Sequence, residues 1–268
     1  IEWNRPLVRD GRETGNRELF VLDKPHPPWT REGVPPQAKI DCFQKPRTKH
    51  LDMRPEDQRR NAYQEPWHLP KVILNAARRS RGPWRISAFA DSEGLTCYRT
   101  FLAVWPHDPT LTTAFAAVLN GPIANAFSAR REGLYIPLDV LEAIPVPAFP
   151  APLLKQIEDA VGDYRAAAGV ADWSAASSAL RRIDALTLKA YRLPPRLERM
   201  VLDYFNGFGH QRPVPFDFGD YFPKDFTPTV PLYMYLSPEF RKSTARNLSE
   251  VAPRVTDPEL VQALEEVE

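Results

Sequence analysis

The sequence predicts an α+β fold: a small mixed β-sheet, followed by a helical section and an extended C-terminal arm. Residues 72–105 contain short β-branched and aromatic runs separated by turn residues, which is typical of strands. Residues 108–205 instead repeat apolar residues every three or four positions, as amphipathic helices do. The 29 prolines cluster between these segments, and 43% of the chain is hydrophobic, so we expect folded elements punctuated by proline.

The 268 residues are enough for one large or two smaller domains. We expect a β-rich region at 1–150, a helical section at 151–210, and an aromatic, proline-rich arm with an acidic tail at 211–268. The chain opens on Ile1 rather than Met, which predicts a fragment or a processed product.

The first 65 residues predict little regular structure beyond a strand at Glu18 to Leu22 and a short helix at Pro55 to Tyr63. Three strand-like runs follow, with turn residues between them, and they predict two antiparallel strands. These runs are Val72 to Leu74, Trp84 to Phe89 and Leu95 to Trp105.

Residues 108–131 predict one helix, because Asp108 can cap it and Pro109 suits its first turn. Gly121-Pro122 should kink this helix. Two further helices between 152 and 193 predict an antiparallel hairpin, with Asp172 as the cap of the second. A third helix is expected over Pro195 to Phe205.

The C-terminal region predicts an extended aromatic arm and then a polar tail. The arm covers Phe216 to Tyr235, and a short helix is possible at Pro258 to Glu266. From Asp217 onward ten acidic residues outnumber five basic ones, so a polyanion should meet the first half of the chain instead.

Positive charge is concentrated between Lys45 and Arg99, where twelve Lys and Arg residues outnumber six Asp and Glu residues. Such an excess can neutralise several phosphates, so the segment predicts a nucleic-acid surface built on a sheet. A solvated basic loop is the alternative. The candidates for contact with DNA are Arg78, Arg79, Arg81, Arg85, Lys71, Arg99, Trp84, Asn75, Lys45, Arg47 and Lys49.

The candidates differ in the contact expected of them. The arginines can fork onto guanine or clamp a phosphate, and Asn75 can read adenine through its amide. Trp84 can wedge against a base or can anchor the turn beside it. Arg130 and Arg131 can contact DNA or complement a helix C-terminus.

The sequence contains no metal-ligand spacing, no nucleophile elbow and no phosphate-binding glycine loop. Two cysteines are too few for a disulfide framework, and neither a signal peptide nor a membrane-spanning stretch is visible, so a cytoplasmic location is expected. We therefore expect no catalytic group and no metal in this chain.

The order of several segments resembles the C-terminal specificity domain of bacterial N-6 adenine DNA methyltransferases, which is similar to the recognition subunits of type I restriction systems. The matching segments are Pro66 to Leu74, the β segment after it, the helix with Phe115 to Asn120, and Leu141 to Pro147. The resemblance covers about residues 60–165.

The resemblance implies a DNA-reading domain of a methylation or restriction-modification system. That family's catalytic half carries an Asn-Pro-Pro-aromatic loop and a glycine-rich loop for S-adenosylmethionine, and this sequence has neither. The resemblance therefore implies that S-adenosylmethionine binding and methyl transfer belong to an upstream segment or a partner subunit. A protein-interaction module is the alternative function, and an independent enzyme is a third.

Overall fold

The computed structural model describes residues 7–10, 21–54, 65–210 and 230–242, and it confirms the α+β class. The predicted helices at 55–63 and 258–266 and most of the aromatic arm lie outside the described residues, as do residues 18–20 of the first predicted strand. None of the described helices is both long and apolar enough to cross a membrane.

The described strands form two sheets of four. The strands are β1 (Leu7–Asp10), β2 (Val21–Leu22), β3 (Trp29–Val34), β4 (Lys49–Asp52), β5 (Lys71–Asn75), β6 (Ala88–Asp91), β7 (Thr96–Cys97) and β8 (Phe101–Trp105). The first sheet has the order β1-β8-β5-β6 and is antiparallel throughout. The second has the order β2-β4-β3-β7, in which β3 and β7 are parallel.

Strand β5 is central in the first sheet, and all five of its residues are buried. Its side chains alternate between two apolar clusters, as the period of a strand requires. Val72 and Leu74 join the cluster that includes the helices, whereas Ile73 joins Phe89 and Trp105 in a second cluster. The first sheet therefore has an apolar core on each face.

The described helices follow the strands along the chain. They are α1 (Thr112–Asn120), α2 (Pro122–Ala129), α3 (Leu138–Glu142), α4 (Ala151–Gly169), α5 (Trp173–Tyr191), α6 (Pro195–Asp203), α7 (Leu232–Tyr235) and α8 (Pro238–Lys242). Helix α1 packs against β5 and β6 on one side and against α4 and α5 on the other. The predicted hairpin is confirmed as α4 and α5, and Asp172 caps α5 by accepting from the Ala175 N–H at 3.0 Å.

The single helix predicted over 108–131 is a 3-10 turn at Pro109–Leu111 followed by α1 and α2. Asp108 caps the turn as predicted. Gly121 breaks the helix instead of kinking it, since its backbone is extended (φ −77°, ψ 171°). A proline disfavours helical backbone at the residue before it and suits the first helical position, so Pro122 both ends α1 and begins α2.

Two of the three predicted strands are shorter than expected. Only residues 88–89 of the second run are strand, within β6, because side chains bond the main chain of residues 85–88. The third run divides into β7 and β8, with a turn in which the Phe101 N–H donates to the Tyr98 carbonyl. Strand β5 pairs antiparallel with both β6 and β8, whereas the second and third runs, which lie on either side of the turn at 91–94, do not pair with each other.

Candidate nucleic-acid interface

Residues 77–85, which we call the basic loop, connect β5 to β6. The loop closes on itself through main-chain and hydroxyl bonds: the Arg79 N–H donates to the Arg85 carbonyl at 2.9 Å, and Ser80 Oγ donates to the Trp84 carbonyl at 2.7 Å. Serine hydroxyls commonly bond the main chain in turns in this way. The basic loop is therefore an ordered turn rather than a solvated strand connection.

Asn75 fastens the two ends of the basic loop to each other. Its side-chain NH2 donates to the carbonyls of Ala77 (2.5 Å) and Arg85 (2.8 Å), and its Oδ1 accepts from the Ser87 N–H at 2.6 Å. Asn75 is 6% exposed, so it uses its amide inside the protein and does not present it to a base.

Two further asparagines attach the chain after the basic loop to the helices. Asn125 Oδ1 accepts from the N–H groups of Arg85 (2.8 Å) and Ile86 (2.9 Å). Asn120 exchanges two hydrogen bonds of 2.9 Å with the N–H and carbonyl of Ala88. These amides take the place of a strand partner, because a buried main-chain group must be paired.

Trp84 is the inward-facing residue of the basic loop and is 5% exposed. Its indole stacks on His210, with 3.7 Å between ring centroids, and lies 4.1 Å from the Phe205 ring. His210 is held in turn by a buried contact of 2.8 Å between its Nε2 and Asp184 Oδ2. Trp84 is thus the anchor of the turn, and the residues after α6 support the loop from below.

A second loop, residues 130–135, lies directly beside the basic loop. The Arg78 N–H donates to the Leu134 carbonyl at 2.8 Å, and Ala77 and Tyr135 form an isolated β-bridge. Arg85 Nη1 adds a 2.6 Å bond to the Arg131 carbonyl. The two loops together form one surface, which we call the basic edge (residues 77–85 and 130–135).

Five of the six arginines of the basic edge, all except Arg85, have guanidinium groups that a ligand could bind. Arg78 and Arg81 form no ion pair with any described residue, and Arg130 lies 5.7 Å from the Phe127 ring. Arg79 and Arg131 each form one pair, with Asp41 (3.0 Å) and Asp139 (3.1 Å), and both acids are exposed. Exposed pairs of this kind contribute little and are readily exchanged.

Arg99 lies at the same end of the first sheet as the basic edge. It is exposed in the turn between β7 and β8, and the carbonyl of the next residue, Thr100, accepts from the Ala76 N–H at 3.0 Å. The sequence prediction grouped Arg99 with the loop arginines, and the structure brings them together.

Lys71 is placed elsewhere, since its side chain is fully buried in β5. Its ammonium contacts the Asp91 carboxylate and donates to the Trp67 carbonyl at 2.7 Å. Burial lowers the pKa of Lys71 below its usual value, against the opposing effect of Asp91. Lys71, Asn75 and Trp84 therefore do not reach the protein surface, and their structural roles replace the DNA contacts predicted for them.

The three basic residues before β5 do not join the basic edge either. Lys45 pairs with Glu93 (2.6 Å) and Glu32 (3.4 Å), and Glu93 follows β6 whereas the basic loop precedes it. Lys49 pairs with Asp23 at 3.1 Å. Arg47 is exposed in the connection between β3 and β4. Their contact with DNA stays a prediction, separate from the basic edge.

Sequence reasoning included Asn120 only as the end of a matching helix, and it missed Asn125, Leu134 and Tyr135. The two asparagines carried a usable signal, because an amide within an otherwise apolar helix must find buried partners. The loop pair carried none, since nothing in the sequence indicates that residues 134–135 lie beside residues 77–78. Among the described residues, no group of three or more His, Cys, Asp or Glu side chains could hold a metal ion.

Comparison with protein-family models and with curated proteins gave no match. Among solved structures, the chain is similar to the Type IIL restriction-modification enzyme MmeI in complex with DNA, with a TM-score of 0.49 and 10% sequence identity. The match covers 74% of this chain and 34% of that one, so this chain spans about a third of that chain's length. Similarity of this degree does not by itself establish a shared fold.

Proposed function

We propose that this chain is the sequence-specific, duplex-DNA recognition part of an N-6 adenine DNA methyltransferase or restriction-modification system. The observation that carries the proposal is the basic edge, where two loops distant in sequence are hydrogen-bonded into one surface bearing six arginines. Methyl transfer, and the binding of S-adenosylmethionine, would belong to a separate segment or subunit.

The charge of the basic edge suits a polyanion. Duplex DNA presents a closely spaced series of phosphates along each strand. Arginine can bind one phosphate through two N–H donors at once. Arg78 and Arg81 form no ion pair with the described residues, so they can bind phosphate without breaking one. Arg79 and Arg131 would exchange an exposed carboxylate for a phosphate.

The rigidity of the basic edge suits base reading as well as phosphate binding. Discrimination between bases depends on donors held in a fixed geometry, because each bidentate contact must match one base edge. Asn75 and Asn125 fix the ends of the basic loop, and Trp84, near its C-terminal end, packs it onto His210. We expect Arg78 or Arg81 to contact guanine, with the other arginines positioning the domain on the phosphates.

The assignment to an adenine methylation system rests on the resemblance of the segments around the interface. Pro66 to Leu74 leads into β5, the helix ending in Asn120 packs behind the sheet, and Leu141 to Pro147 leads into α4. A partner domain would then act on an adenine turned out of the duplex, which requires that the recognition domain hold the flanking base pairs.

The proposal is tested by measuring the affinity of the chain for mixed-sequence duplex DNA over a salt series. The test variant changes Arg78, Arg79 and Arg81 together to Ala. The control variant changes Lys155, Arg182 and Arg196 together to Ala, which removes the same charge from the exposed helical section. We expect wild-type affinity to fall with salt at a slope of several units, and the test variant to lower that slope by about one unit for each phosphate that it no longer binds.

An equal decrease in affinity for the two triple variants would mean that net charge alone drives binding, and it would contradict a dedicated surface. Sequence specificity is tested separately, by selection from duplexes with a randomised segment, where one enriched site is expected. The methylation assignment predicts N-6 methyladenine within that site in the genome that encodes the chain, and disappearance of the mark when the coding sequence is deleted.

A protein-interaction module is the competing function. The hairpin of α4 and α5 would be its natural contact surface, yet the apolar faces of both helices are buried within this chain, where α1 packs against them. Absence of DNA binding by the wild-type chain would favour this alternative.

A further inference from the structure

The basic edge carries two large apolar side chains that the fold leaves in solvent. Leu134 is 57% exposed and Tyr135 is 69% exposed, whereas the next residue, Ile136, is 6% exposed and belongs to the core. They follow Arg130 and Arg131 closely in the chain and lie beside Arg78. An apolar pair inside a strongly basic surface indicates a ligand that is both charged and able to accept apolar contact.

The main chain that carries this pair is firmly held. The Leu134 carbonyl accepts from the Arg78 N–H at 2.8 Å, Tyr135 bridges to Ala77, and the Ile136 N–H donates to the Ala76 carbonyl at 2.8 Å. Before the pair, Gly133 turns the chain with φ of +136°, a conformation that L side chains rarely adopt. The exposed pair thus lies at the end of the second loop that is hydrogen-bonded to the basic loop.

We infer that Leu134 and Tyr135 form an apolar wedge that enters a groove of duplex DNA and unstacks a base step between the phosphates held by the arginines. This inference rests on the proposed function and adds a mode of recognition to it. Apolar wedges open base steps and let DNA bend onto the protein, and an aromatic ring can replace the stacking partner that a base gives up.

A protein partner fits the same observation less well. Specific protein interfaces bury on the order of 1,200–2,000 Å² in total and have apolar centres depleted of charge. Leu134 and Tyr135 offer only two side chains; Arg130, Arg131 and Glu132 precede them in the loop, and the Arg78 main chain is bonded to Leu134. Arginines at that density instead match a ligand whose own charge is negative.

The test compares binding to two short mixed-sequence duplexes that differ only in a central abasic site. An abasic site makes unstacking easier, so a wedge should prefer that duplex. The variants are Leu134→Ser, Tyr135→Ser and the double change. Leu69→Ser is the matched control, because Leu69 is also exposed (42%) but lies before β5, at the opposite end of that strand from the basic edge.

We expect the wild-type chain and Leu69→Ser to bind the abasic duplex more tightly than the intact one. The double variant should show no such preference and should bind the intact duplex roughly ten- to a hundredfold more weakly. Its salt slope should stay at the wild-type value, since every arginine that binds phosphate is still present. The triple Arg78, Arg79 and Arg81 variant should instead lower the salt slope, so the slope distinguishes phosphate-binding arginines from the Leu134 and Tyr135 wedge.

Two outcomes would overturn the inference. If the double variant keeps wild-type affinity and preference, the wedge is excluded while the proposed function stands. If the wild-type chain binds neither duplex, the wedge and the proposed function both fail. Sedimentation of the wild type and the double variant would then test whether Leu134 and Tyr135 mediate self-association instead. Circular dichroism and thermal unfolding should give wild-type curves for every variant, because the changed side chains are exposed.

Discussion

Asn125 and Arg85 are joined by a hydrogen bond of 2.8 Å, in which the Asn125 side chain accepts from the Arg85 main-chain N–H. The same oxygen also accepts from the Ile86 N–H at 2.9 Å, and the Asn125 amide NH2 donates to three carbonyls at the junction of α1 and α2. One side chain thereby connects the end of the basic loop to the helix break.

The change Asn125→Ala should therefore cost both stability and DNA affinity. It leaves buried main-chain N–H and carbonyl groups unpaired, at about 1–3 kcal/mol for each group that cannot find another partner. Urea unfolding should show a lower midpoint, and DNA affinity should fall at temperatures where the variant is still folded. Asn206→Ala, at an exposed position, should match the wild type in both measurements. An unchanged midpoint for Asn125→Ala would contradict the anchoring role.

The buried pair of Lys71 and Asp91 predicts an asymmetric result. Removing Lys71 alone, as Lys71→Met, leaves a carboxylate without its cation in the core and should lower the free energy of unfolding by about 3–5 kcal/mol. The double change of Lys71→Met with Asp91→Asn should recover part of that stability, because no net charge remains buried. Denaturant unfolding of the three variants completes the cycle. A double variant less stable than Lys71→Met by the full cost of Asp91→Asn would show that the two residues act independently.

Substitutions at Trp84 test whether this residue anchors the basic loop or stacks on DNA. As an anchor packed on His210 and Phe205, it should tolerate Phe with a small decrease in stability, whereas Trp84→Ala should lower the free energy of unfolding by about 3–5 kcal/mol. DNA affinity of the folded Trp84→Phe variant should stay close to the wild type. A large decrease in affinity at unchanged stability would instead place the indole at the DNA.

Glu198 predicts a pH dependence of stability near neutrality. It is buried on α6, where its Oε2 accepts from the Leu232 N–H at 2.8 Å, and burial raises its pKa to about 7. The folded-state pKa lies above the ordinary value of 4.5. The contribution of Glu198 to stability is therefore complete below pH 4.5 and is lost as pH rises through about 7.

The free energy of unfolding should accordingly fall as pH rises between about 5 and 8, by on the order of 1–3 kcal/mol. Glu198→Gln has no titrating group and can still accept the Leu232 bond, so it should remove this part of the slope. Denaturant unfolding at several pH values measures the effect. Glu158→Gln, at an exposed position on α4, should keep the wild-type slope, and equal slopes in all three proteins would contradict the prediction.

The sequence allowed the local elements to be predicted where one pattern governs a whole segment. Val72 to Leu74 formed β5, and Asp172 capped α5, because apolar period and capping depend on neighbouring residues alone. The Trp84 to Phe89 run was predicted as strand for its alternation, but Asn120 and Asn125 took over its main-chain bonds. That competition involves residues some 40 positions apart in sequence, as the bond from Arg85 to Asn125 shows.

The sequence predicted the basic character of the candidate site but only some of the residues that form it. Arg78, Arg79 and Arg81 are exposed or half-buried as a basic loop requires, and Arg99 lies near them. Lys71 was misplaced because the sequence shows its charge but not the carboxylate twenty residues away that neutralises it. Leu134 and Tyr135 were missed because exposure is a property of the folded surface, and the residues themselves are of ordinary core type.

The anchoring of the basic loop has a consequence for how such a domain can diversify. Asn75 and Asn125 grip the loop ends through main-chain carbonyls and N–H groups, which every residue type except proline provides in full. The side chains of Arg78, Arg79 and Arg81 take no part in these bonds, so they can change without loss of the attachment. A loop held in this way can change its exposed side chains while the scaffold beneath it keeps its shape.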